Sequence, residues 1–239
     1  MTDKPGGPKR ASINSRNTAI PVALSFCSAF VDVICFVSLY HSFTAFITGT
    51  MVIVISELFQ PQALLWPRVL ILGSFFVSAI LWIRMIRTMI VRQWRVVRIC
   101  LVIEAVLLLL FMASAVFLPV GPDWPSPGTA FALVFPTLAM SLQNALMQLV
   151  LRFHFPTTVM TGNFMSFLVS LAFRNWTDNR DSGMRRVDLP KVPPIRYGIN
   201  LASFVAGGLL GSVLNASIGF WALLIPTLLV AGIAIVNDD

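Results

Sequence analysis

Seven apolar runs divide this chain, and their lengths predict helices. Thr18 to Tyr40 is interrupted only by Asp32, and Ser42 to Ser56 is short and uncharged. Val69 to Ile83 lies between Arg68 and Arg84, whose long stems can snorkel and extend the helix. Ile99 to Leu118 holds one acid, Glu104. Thr129 to Leu151 is an uncharged run of 23 residues, and Phe155 to Phe173 follows almost at once. Tyr197 to Val236 runs for 40 uncharged residues, long enough for two crossings at roughly 20 residues each, with a turn expected at Asn215–Gly219.

The polar segments between the runs set the topology. Four basic residues lie in the N-terminal tail (Lys4, Lys9, Arg10, Arg16), five in Arg84–Arg98 and six in Arg174–Arg196. If every run crossed once, these three segments would be split between the two sides, against the positive-inside rule. If the first two runs together cross once, and the fifth and sixth together cross once, all three fall on the cytoplasmic side. The expectation is therefore a six-crossing, multi-pass protein of the cytoplasmic (plasma) membrane with a cytoplasmic N-terminus. Residues 1–17 form a basic tail, 18–120 a first membrane repeat and 121–239 a second.

Composition narrows the class. Apolar residues are 57% of the chain and charged residues 11%, against about 25% charged in soluble domains. Too little polar surface exists to cover a water-soluble globule. The net charge of +7 does not argue for nucleic acid, because the arginines sit at the ends of apolar runs. Cys27, Cys35 and Cys100 lie inside apolar runs without metal-ligand spacing and read as inert buried thiols. The first apolar run is too long for a signal-peptide core.

An internal repeat carries the chemistry. His41-Ser-Phe-Thr44-Ala-Phe-Ile-Thr48-Gly49 and His154-Phe-Pro-Thr157-Thr-Val-Met-Thr161-Gly162 share the pattern H-x-x-T-x-x-x-T-G at an offset of 113 residues. Upstream, Asp32 lies opposite Asn144 at an offset of 112. Each half then reads as one broken element followed by two helices. Three crossings per half would make the halves inverted repeats, as in many secondary transporters. Ser74 and Ser78 in one half and Gly207 and Gly211 in the other have small-xxx-small spacing and read as packing positions.

On helical spacing His41, Thr44 and Thr48 would share one face, as would His154, Thr157 and Thr161. Gly49 and Gly162 would leave bare backbone with free amides. The two elements could then meet in a small, polar, mostly neutral site. The alternative is that the threonines bond back to their own helices and the glycines only pack. Asp32 must be paired, protonated or wet within the membrane, and could carry a coupling proton or cation. On that reading Asp32→Asn changes packing little. Its alternative is a structural hydrogen bond. Glu104 lies six residues past Arg98 and reads as an interfacial, snorkelling acid. The two histidines could titrate near neutrality, or simply sit as polar interfacial groups.

The stretch Ala29-Phe-Val-Asp32-Val-Ile-Cys-Phe, with Phe43-Thr-Ala-Phe-Ile-Thr48-Gly49-Thr50, resembles the first motif of the YoaK-type bacterial membrane proteins, the family called domain of unknown function 1275. Ala139-Met-Ser-Leu-Gln143-Asn144-Ala, with Thr157-Thr158-Val-Met-Thr161-Gly162-Asn163, is similar to its second. Thr50 departs from the pattern, since the family usually has Asn after Thr-Gly. The resemblance implies the fold and the membrane location, and no particular substrate.

The expected function is a small-molecule transporter or permease, not an enzyme. Its substrate site would draw on Asp32, His41, Thr44, Thr48, Gly49, Gln143, Asn144, His154, Thr157, Thr161, Gly162 and Asn163. No metal or other cofactor is expected, and the partners are the lipid bilayer and an unidentified small molecule, with homo-oligomerisation left open. The alternative is a membrane scaffold or partner subunit in which the motifs only pack helices. An intramembrane enzyme acting on lipid lacks a nucleophile–base pair.

Overall fold

Away from water a backbone must satisfy its own polar groups, and a helix does so within one segment. The computed structural model describes residues 19–60, 64–120, 126–151, 160–172 and 194–236. Among them there are helices and no strand: α1 (Ala19–Ser38), α2 (Ile47–Glu57), α3 (Trp66–Val91), α4 (Val96–Phe117), α5 (Pro127–Leu149), α6 (Met160–Ala172), α7 (Pro194–Ile218) and α8 (Leu224–Val236). A 3₁₀ turn, Gly219–Leu223, joins the last two. Five stretches are long and apolar enough to cross a bilayer: α1, α3, α4, α5 and Ile195–Val236. This is a multi-pass membrane protein.

The last of those stretches has 42 residues and doubles back. α7 runs parallel to α1: Ser203 donates to the Val22 carbonyl at 2.8 Å, and Asn215 donates to the Ser38 hydroxyl at 2.8 Å. α8 runs the other way, placing Pro226 beside Cys27 and Ile233 and Val236 beside Ala19 and Ile20. Gly219 sits at the reversal with φ +59°, a backbone conformation open to glycine. The turn occupies Gly219–Leu223 and meets the expected Asn215–Gly219 stretch only at Gly219, because α7 continues to Ile218.

α2 is a half-length element. Its 11 residues span only ~16 Å, about half the hydrocarbon thickness. Tyr40 and His41 adopt left-handed backbone, φ 55° and 51°, and end α1. The chain then turns back alongside α1 until residues 44–46 lie against Asp32, six residues before the end of that helix. From there α2 returns to the end it came from. Arg68 marks that end, since it pairs with Glu57 at the close of α2 and donates to the Tyr40 carbonyl at 2.9 Å. The first two apolar runs thus traverse the bundle once.

Arg68 does not snorkel. It is 7% exposed and ties together the ends of α1 and α2 and the start of α3. The left-handed turn at Tyr40 is held from outside by this bond, which is how a strained backbone persists.

α1 packs along α7, α3 along α5, α4 between α5 and α8, and α2 and α6 on α3 and α7 respectively. Small residues permit the closest of these contacts. A Cβ on Gly207 would stand 2.2 Å from the Phe26 carbonyl oxygen, and one on Gly211 2.9 Å from that of Phe30. Ser78 meets Ser141 at 2.7 Å, and the Trp82 indole donates to the Leu138 carbonyl at 3.1 Å. The packing expected of the small-xxx-small positions is observed for these residues.

Candidate functional site

Asp32 organises the first Thr-Gly element. One carboxylate oxygen accepts the backbone N–H of Thr44 at 2.7 Å, that of Ala45 at 2.7 Å and the Thr44 hydroxyl at 3.1 Å. The other accepts the N–H of Phe46 at 2.8 Å. These are the amides just ahead of α2, and Phe46, its N-cap, makes no side-chain cap bond. A carboxylate supplied from another helix therefore takes the N–H of this N-cap and those of the two residues before it, beside a helix N-terminus whose dipole favours a negative charge.

Thr50 locks the same loop. Its hydroxyl donates to the Phe43 carbonyl at 2.7 Å and accepts the Phe43 N–H at 2.8 Å. One side chain with a donor and an acceptor closes the turn, which is also within the repertoire of an amide. That accounts for Thr at a position where the resembled family usually has Asn. Thr50→Asn is expected to keep the protein's thermal stability. Thr50→Val, which removes both bonds from a fully buried site, is expected to cost about 1–3 kcal/mol. Thermal unfolding in detergent compares the two.

Irregular backbone at this depth must be buried in protein or line a cavity. Here it does both. A cavity of about 360 Å³ opens between the first turns of α2 and α6 and the face of α5. Its polar lining is Thr48, Asn144, Gln148 and Thr161, and Phe46 and Phe75 are among its apolar walls. Among the described residues no charged side chain lines it. Asp32 stands behind the wall, bonded to the backbone of Ala45 and Phe46, which line the cavity.

The expected residues therefore separate. Thr48, Asn144 and Thr161 come together at the cavity. Gln148 joins them; it lies four residues past Asn144 on the same helix face, a spacing that could have revealed it. Asp32 and Thr44 hold the loop. His41, Thr44 and Thr48 do not share a helix face: His41 lies in the turn after α1, edge-on to Phe36, Thr44 in the irregular limb and Thr48 in α2. The capture of three successive amides by Asp32 prevents a helix from forming there. Gly49 does not leave a free amide either, because its N–H donates to the Phe46 carbonyl at 2.9 Å. What it supplies is space, since a Cβ would stand 2.5 Å from the Phe46 ring and 2.9 Å from that of Phe43.

Gln143 faces away from the cavity and donates to the Leu24 carbonyl at 3.0 Å, joining α5 to α1. In the first turn of α6, Gly162 is exposed and Asn163 buried, its amide 3.9 Å from the Met160 sulfur. His154 and Thr157 lie outside the described residues. Glu104 is not interfacial; it is 0% exposed within the bundle.

Long apolar helices, a half-length helix that turns back inside the bundle and a carboxylate buried beside it define the class: a helical multi-pass membrane protein with a broken-helix cavity. The chain belongs to the family described as protein of unknown function (DUF1275), whose model matches residues 20–236. Comparison with curated proteins and with solved structures finds no match for it.

Proposed function

We propose that this protein is a permease for a small, uncharged, polar molecule, bound in the cavity between the two Thr-Gly elements. The carrying observation is that cavity, where Thr48 and Thr161, equivalent positions of the two motifs, meet with Asn144 and Gln148. Hydroxyls and amides offer donors and acceptors without charge, so the matching solute is neutral and hydrogen-bonds in both senses. No catalytic step is assigned to the site.

An inverted-repeat, six-crossing architecture with a cytoplasmic N-terminus fits this reading. Exchange α1 with α5, α2 with α6, α3 with α7 and α4 with α8. The α1–α7 contact then maps onto α5–α3, α2–α3 onto α6–α7, and α4–α8 onto itself. The doubling back at Gly219 and the return of α2 to the Arg68 end support the crossing number.

The test is uptake of a panel of neutral polar solutes into liposomes holding the purified protein. Asn144→Leu and Thr161→Leu, with unchanged reconstitution, are expected to lower flux of the accepted solute roughly tenfold, the effect of losing about 1.4 kcal/mol of polar contact. Flux no greater than in empty liposomes across the panel would move the protein to the scaffold reading, in which these motifs only pack.

A further inference from the structure

α4 buries a stripe that includes Cys100, Glu104, Leu108 and Phe111. Glu104 is 0% exposed, and neither of its carboxylate oxygens has a hydrogen-bond partner among the described residues. Asp32 is the opposite case. Its charge is met by three backbone N–H groups and a hydroxyl, all fixed by the fold.

Among the described residues, none packed around Glu104 supplies a positive charge. α5, the 3₁₀ turn and α8, which pack on α4, contain no ionisable side chain. α3, which touches α4 only slightly, carries Arg84 and Arg87, both exposed, and Arg68, already paired with Glu57. Among the described residues, the titratable groups within electrostatic reach are two thiols, Cys27 on α1 and Cys100 one turn earlier on α4. Cys27 is turned towards the Pro226 carbonyl of α8, 3.8 Å away. A carboxylate buried with neither donor nor cation is strongly disfavoured, whereas the neutral acid is tolerated.

We propose that Glu104 is a proton-binding site that couples protonation to closure of the bundle. α1, α4 and α8 close over the neutral acid, and ionisation parts them. Glu104 lies eight residues from Val96, the first residue of α4, so ~12 Å separates it from that helix end. Arg92, Arg95 and Arg98 are at that end, which makes it the direction in which the ionised group is drawn. Because closure favours the protonated form, the closed bundle is held at low pH and lost as pH rises. The site stands apart from the cavity and does not depend on what crosses it.

The experiment uses the full chain in lipid nanodiscs. Infrared spectroscopy should show an un-ionised carboxyl band in the wild type that fades as pH rises, with thermal stability falling over the same range. Glu104→Gln, a permanent mimic of the neutral acid, should lack the band and keep the acid-form stability at every pH. A band that survives Glu104→Gln, or identical pH profiles for the two proteins, would overturn the proposal. A second measurement needs no variant. Protection of the α4 backbone amides against hydrogen exchange, corrected for the intrinsic pH dependence of exchange, should be high at low pH and fall as pH rises. Protection that does not change with pH would also overturn it.

Discussion

Asp32→Asn is expected to unseat α2 while leaving the long helices inserted. All four donors around Asp32 point at acceptor positions, three at one oxygen and one at the other. An amide must turn its NH₂ towards one of those sets. Directed at Phe46, it opposes one N–H; directed at Thr44 and Ala45, it opposes two more. Hydrogen bonds to a charged group contribute about 1.5–3 kcal/mol each, and a buried donor left unpaired costs about 1–3 kcal/mol. The expected loss is about 3 kcal/mol for Asn and more for Ala. This reverses the expectation from sequence that Asn would change packing little, which counted the shape of the side chain and not the direction of its donors. The measurement is thermal unfolding in detergent, paired with cysteine labelling at Thr48. Unchanged stability together with unchanged accessibility at Thr48 would show that the carboxylate does not hold the loop.

The second large effect is expected at Gly207. Its missing Cβ leaves room for the Phe26 carbonyl, which a methyl group would meet at 2.2 Å. The obstacle is backbone, so no rotamer change relieves it; α1 and α7 must separate. Gly207→Ala is expected to cost about 3 kcal/mol, the upper part of the range for overpacking. The neighbouring Gly208→Ala is the control, since its Cβ would make ordinary contact with the Val33 side chain at 3.5 Å. It is expected to be neutral or slightly stabilising, because alanine suits a helix better than glycine. Equal melting temperatures for the two variants would remove the close approach as the reason for Gly207.

Much of the helical layout was legible because bilayer thickness fixes how long an apolar run must be, and Lys and Arg punctuate those runs. That the first two apolar runs share a single traverse followed from counting charges, and Gly207 from small-residue spacing. The Asp32 loop was not legible. Helical periodicity groups His41 with Thr44 and Thr48, and only the folded chain shows a distant carboxylate taking the amides between them. The burial of Glu104 was hidden for another reason. In a bilayer the lipid-facing side of a helix is as apolar as the core-facing side, so the pattern along α4 does not reveal which face a residue occupies. Distance from Arg98 measures position along the helix and says nothing of rotation about it.

The Arg68 contacts impose an order on biogenesis. When α1 and α2 have emerged from the ribosome, the link between the Tyr40 carbonyl and Glu57 is still missing, because Arg68, which joins them, lies 28 positions after Tyr40. α2 is also too short to cross on its own. Its final seat is therefore completed only once α3 has begun to enter the membrane and brought Arg68 to the junction. The seating of α2 is a product of helix assembly, added to a layout that the longer helices have already set.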